Sequence, residues 1–175
     1  MHKSIVKSAS IILSCVITLL LGCSQGLAPE ERNMKSGPGL IRGKIIYQGG
    51  INSWSNAPDS VIGMRAAAFL IYPLPDSAGI INELLQSRAF VSGLTSLPIF
   101  VDSSDFEIAI PKPPVTVQYL AIAQQITSDL NSQKVVGVYT TSGDNTKPSS
   151  IYVDNGDTVT VRIIVDFTNL PPQPF

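Results

Sequence analysis

The strongest constraint on this chain is a period-two alternation of apolar and polar residues that recurs from Gly39 almost to the end. In the last run Val159, Val161, Ile163, Val165 and Phe167 fall on one side. Thr158, Thr160, Arg162 and Asp166 fall on the other, with Ile164 the exception. A pleated strand sends successive side chains to opposite faces, so this run is a strand with one buried face. Ile41, Ile45 and Tyr47 alternate with Arg42, Lys44 and Gln48 in the same way, and Gly43 lies on the apolar side. Phe106, Ile108 and Ile110 alternate with Asp105, Glu107 and Ala109. The stretch 65–72 is apolar on both faces, 115–125 is long enough to cross a whole sheet, and 134–140 follows. Residues 150–153 and 158–167 form a last pair joined by Asp154-Asn155-Gly156-Asp157, whose Asn-Gly is a strong hairpin signal. Ile80, Ile81, Leu84 and Leu85 share one face of a short helix over 77–86, with Asp76 or Ser77 as its cap. Residues 87–97 fit a short edge strand and a loop. Gly, Pro and Asn punctuate these runs, so the expected fold is all-β: a single antiparallel β-sandwich of about seven to eight strands with one short helix, over residues 39–170.

The region before Gly39 follows another logic. His2, Lys3 and Lys7 precede an apolar run of 11 residues, Ile11 to Leu21, and Gly22 closes it. That run is too short for a membrane span of about 17–25 residues and fits the apolar part of an export signal. Residues 1–22 are therefore expected to be a signal peptide, cut between Gly22 and Cys23. Residues 23–38 are polar, aperiodic and carry Gly and Pro, as a flexible tether does. Residues 171–175, Pro-Pro-Gln-Pro-Phe, form a Pro-rich tail, expected to be free or loosely packed.

Leu20-Leu21-Gly22-Cys23 resembles the lipobox of bacterial lipoproteins. The resemblance implies cleavage before Cys23, acylation of Cys23, and a membrane as partner. With Ser24 rather than Asp next, it implies an outer-membrane location, at the periplasmic or surface face. A second resemblance starts at Gly39-Leu40-Ile41-Arg42-Gly43-Lys44-Ile45, which is similar to the first strand of carboxypeptidase-regulatory-like and prealbumin-like sandwiches. Phe106-Glu107-Ile108-Ala109-Ile110-Pro111 with Val117 to Ile122 is similar to a later strand pair of those domains, although Pro113-Pro114 stands where their turn glycine does. Residues 165–171 also resemble the ends of uncharacterised bacterial lipoproteins of this kind. These resemblances imply an accessory or binding module without a catalytic centre or cofactor.

The residue inventory narrows the chemistry. Removing residues 1–22 leaves 153 residues with ten basic and 13 acidic side chains, a net charge of −3 that offers no footprint for nucleic acid. His2, the sole histidine, and Cys15 leave with the signal, so Cys23 is the one cysteine that remains. Triads built on His or Cys, and His-ligated metal sites, are excluded. A carboxylate pair for a hydrolase would have to come from Asp102 with Asp105 or Asp154 with Asp157, each beside a turn where Asp commonly bonds its own backbone. Asp154 and Asp157 are also calcium candidates, since calcium takes loop oxygens, against the reading of a hairpin turn with solvated acids. Trp54, in the loop after Gly49-Gly50, is the candidate ligand-binding residue: exposed, it would grip a sugar or polymer; buried, as the high average burial of large aromatics favours, it closes an end of the core. The expected function is a lipid-anchored, non-enzymatic envelope protein, partnered by another envelope protein or a glycan. The alternative is a carbohydrate- or polymer-binding module centred on Trp54.

Overall fold

A computed structural model describes residues 35–57, 60–76, 79–129 and 132–175. The alternating runs form strands β1 (Gly39–Tyr47), β4 (Ser103–Ile110) and β9 (Thr158–Val165). The doubly apolar run forms β2 (Gly63–Phe69), followed by helix α1 (Gly79–Leu85) and β3 (Ala89–Val91). The long stretch after the double proline divides at Gln118 into β5 (Val115–Val117) and β6 (Tyr119–Gln125). β7 (Gln133–Val138) and β8 (Ile151–Val153) complete the set. The all-β class with one short helix is as the alternation predicts.

Seven strands make one sheet in the order β3-β2-β6-β7-β9-β1-β4, and β5 pairs with β8 in a separate ribbon. Two details depart from an antiparallel plan. β9 runs parallel to β1 over eight residue pairs, from Leu40 with Thr158 to Tyr47 with Val165, so the sheet is mixed. The Asp154–Asp157 turn does form, with Asp157 N–H donating to Asp154 O at 3.2 Å and Gly156 at φ +63°. It joins strands of different sheets rather than a hairpin: β9 has its edges toward β1 and β7, while β8 turns to β5. Asn-Gly specifies a reversal, and the competition for strand edges decides where the arms go.

β7 meets β9 at Gly137 with Val165, the one residue pair between them among the described residues. The halves β3-β2-β6-β7 and β9-β1-β4 fold toward each other about this junction. Ile41 and Ile45 of β1, Ile108 of β4 and Ile163 of β9 share one core with Met64 of β2 and Ile122 of β6. All six are at most 1% exposed. Each such side chain contributes about 1.5–3 kcal/mol relative to an exposed one. Two glycines set the spacing. A Cβ at Gly137 would lie 2.7 Å from Val165 Cγ2, and a Cβ at Gly43 would overlap the ring of Phe106, its partner on β4.

Gly43→Ala is expected to destabilise the domain by about 1–3 kcal/mol through overpacking. Phe106→Leu on that background should recover part of the loss. Thermal unfolding of both variants checks this, and an unchanged midpoint for Gly43→Ala would contradict the packing described.

Candidate functional site

β2 and β6 are apolar on both faces because each face has something to cover. On the outer face the pairing register sets out a floor in rows. Phe69 lies beside Tyr119, Ala67 beside Ala121, and Arg65 beside Ala123. β7 extends two of these rows with Val138 next to Ala121 and Val135 next to Ala123. This face has its own apolar cluster, separate from the inner core. Its roof comes from Ile80 and Leu84 of α1, Leu94, and Pro174 and Phe175 of the tail, and between floor and roof runs a cleft of about 230 Å³.

The Pro-rich tail, expected to be loose, is docked. The Gln173 side chain bonds both backbone groups of Val135, accepting from its N–H at 2.9 Å and donating to its C=O at 3.2 Å. Leu74 N–H donates to Pro174 O at 2.8 Å. The amide occupies an edge that β9 leaves unpaired as it diverges from β7, so bonding and not composition determines the tail's order.

α1 also departs from expectation. Ile80 and Leu84 face the cleft, but Leu85 is 78% exposed, and Glu83 is the helix residue that is buried. Glu83 accepts two hydrogen bonds from Arg88, at 2.6 and 2.7 Å, which ties α1 to the start of β3. The Arg88 guanidinium holds the Glu83 carboxyl below its usual range. The expected cap at Ser77 lies outside the described residues.

The mouth of the cleft is apolar, with Leu94 92%, Phe175 53% and Leu84 37% exposed. Its base is closed, with Ala121 1% and Tyr119 2% exposed. Tyr72 stacks on Tyr119 at 4.8 Å, and burial raises the Tyr119 hydroxyl above its ordinary range, so Tyr119 presents an uncharged wall to the cleft at physiological pH. Arg65 is the one charged side chain lining the cleft among the described residues. Its guanidinium donates to Gln125 Oε1 at 2.7 Å and to the Leu94 carbonyl at 2.9 Å, both neutral acceptors.

A wider groove of about 650 Å³ opens where β7 and β9 diverge. Its rim is a polar loop that bonds largely to itself: Thr141 to Ser149, Asp144 to Thr146, Lys147 to Asp144. The Thr146 hydroxyl, with Lys147, holds the Asp144 carboxyl down at about 2. These bonds are made within the loop, while Gln48, Thr160 and Arg162 line the groove from β1 and β9 and their neighbourhood.

The residues singled out from sequence are not brought together. Trp54 is 6% exposed, its Nε1–H donates to Val101 O at 2.9 Å, and its ring packs on Tyr47 at 4.5 Å and Phe167 at 5.1 Å. Of the two readings of Trp54, the structure has the one in which it closes an end of the core and not the open stacking platform: a short 3-10 turn, Gly50–Asn56, lays it over the end of the core. Asp157 pairs with Lys35 at 2.6 Å, and Asp154 Oδ1 accepts the backbone N–H of Asn155 at 2.7 Å, so the two calcium candidates serve their turn. Asp102 accepts the N–H of Ile51 at 2.7 Å, while Asp105 projects from β4 opposite Lys44. Among the described residues no group of three His, Cys, Asp or Glu is placed to hold a metal ion. Gly22 and Cys23 lie outside the described residues. Arg65 and the three alanines were the residues that alternation missed. The available signal was a lone arginine opening a run that is apolar on both faces.

Comparison with known protein families, with curated proteins and with solved structures gives no match.

Glu83→Gln tests the α1 anchor. The folded-state pKa is lowered, so the contribution is present above the unfolded carboxylate value of about 4.3 and is lost as pH falls through the folded value. The unfolding midpoint of the variant should lie below that of the wild type at pH 7, and the gap should close toward pH 2–3. An equal gap at both ends would contradict this.

Proposed function

We propose that this chain is a lipid-anchored, non-catalytic binding module of the bacterial cell envelope, held at a membrane through acylated Cys23. The observation that carries the reading is Leu20-Leu21-Gly22-Cys23, placed at the end of an 11-residue apolar run behind Lys3 and Lys7. Several acyl chains on one residue supply the multiple signals that stable anchoring requires, since a single chain binds reversibly. Ser24 in place of Asp favours the outer membrane. Residues 24–34 would then give the β domain reach from the lipid surface to a second envelope component, since Lys35 and Gly37 are bonded to the 154–157 turn.

The geometry of the domain supports binding over hydrolysis. The carboxylates offered to a hydrolase are spread among turns and ion pairs, whereas an acid–base pair must converge on one pocket. The outer cleft has the enclosed, mainly apolar form of a ligand site, with one charged group at an end. With Trp54 buried, the cleft replaces the tryptophan loop as the binding surface.

Cells fed labelled palmitate should incorporate label into the full chain, and Cys23→Ala should abolish the label and leave the uncleaved precursor. A wild-type chain that takes up no label would overturn the anchoring.

A further inference from the structure

We infer that the outer cleft binds the alkyl chain of a free fatty acid, with its carboxylate at Arg65. The inference rests on reading the cleft as the binding surface, and it is independent of the anchor.

Shape supplies the first argument. The floor at Ala67, Ala121 and Ala123 consists of methyl groups where neighbouring positions carry Phe69, Tyr119 and Val135. Small side chains across three adjoining positions, under a roof carried by α1 and the tail, leave a narrow apolar space. At about 230 Å³ it lies below the usual range for drug-sized ligands, about 300–1,000 Å³, and suits one unbranched chain better than a ring system.

Polarity supplies the second, independent argument. The cleft has two chemically different ends along β2. Phe69 and Tyr119 make an aromatic wall, and Arg65 stands four residues away, roughly 13 Å at strand rise. No acidic side chain lines the cleft among the described residues, and both acceptors held by Arg65 are neutral. Gln133 lines the cleft as well, and its backbone partner is Gln125, the residue that holds the guanidinium. A fixed guanidinium beside amides is suited to a carboxylate, which it can engage through two parallel N–H bonds. An apolar ligand with no charge would leave that end unused, and a short anion would leave the alanine floor unused. A single-chain carboxylate satisfies both.

The roof gives the site a way in. The Gln173 and Pro174 bonds hold the tail from one side, while Phe175, Leu84 and Leu94 stand exposed at the mouth. The alkyl chain enters between them and extends toward Tyr119, and the headgroup stays at Arg65, nearer to water.

The test uses the full chain carrying Cys23→Ala, so that no covalent acyl group competes. A neutral apolar dye, Nile red, reports on the cleft through the part of its binding that Ala123→Leu removes, since the uncleaved chain keeps the apolar run Ile11 to Leu21, and octanoate, decanoate and dodecanoate compete for that part. Affinity should rise about fourfold per added CH₂ while the chain still lies inside the cleft, and then level off. Arg65→Gln should weaken decanoate at least tenfold and leave decanol unchanged, and Arg65→Lys should restore part of the difference. Ala123→Leu, at the partly exposed end of the floor, should weaken dye and decanoate together. Ala121→Phe should do the same, with circular dichroism and thermal unfolding to confirm that each variant folds. Dye binding that Ala123→Leu removes and decanoate does not displace would overturn the fatty-acid assignment and leave the cleft as a site. Decanoate and decanol binding alike, with Arg65→Gln silent, would overturn the role of the anion. Neither dye nor decanoate binding would overturn both readings.

Discussion

Among the described residues one backbone pairing, Gly137 with Val165, joins the two halves of the main sheet, and the architecture depends on the close approach it permits. At that point a methyl group would press on the Val165 side chain, so hydrogen replaces it and the strands cross at contact distance. Beyond the junction β9 continues along β1 while β7 leaves it. The sheet can then fold its two halves around Ile41, Ile163, Met64 and Ile122 without a second long sheet to close the core.

The same divergence creates the features outside that core. Where β9 departs, Val135 would present a bare backbone edge, and Gln173 satisfies it with an amide that bonds as a strand would. An unpaired N–H and C=O at a half-buried edge are costly, so the tail is ordered by what it completes. β2 and β6 turn a second apolar face outward. α1, fastened through Glu83 and Arg88, and the tail, fastened at Leu74 and Val135, cover it as two separate lids. Two lids over a floor of alanines do not close fully, and the remaining space is the cleft.

Alternation made the strands legible because a buried face leaves a direct trace in sequence, as on β1, β4 and β9. It could not reveal which strands pair. The parallel contact of β1 with β9 and the change of sheet after Asn155-Gly156 follow from competition for edges among distant segments. Trp54 was legible as a large aromatic in a loop, but its orientation depended on the carbonyl of Val101, 47 residues away. Arg65 shows the opposite limit. Its position was plain, yet its meaning came from what stands across β6 and β7, where Ala123 and Gln133 leave room and polarity beside it. Site chemistry in this domain is assembled across strands, and no contiguous motif marks it.

The most direct measurement is methyl NMR of the full chain, with the alanine, leucine and valine methyls labelled and decanoate added. Our account predicts saturable shifts concentrated at Ala67, Ala121, Ala123, Val91 and Leu94, with the methyls of Ile-rich inner-core neighbours such as Leu120 and Val161 unmoved. Shifts centred on Val136 and Val161, the labelled valines that line the groove between β7 and β9, or none at saturating decanoate, would contradict it.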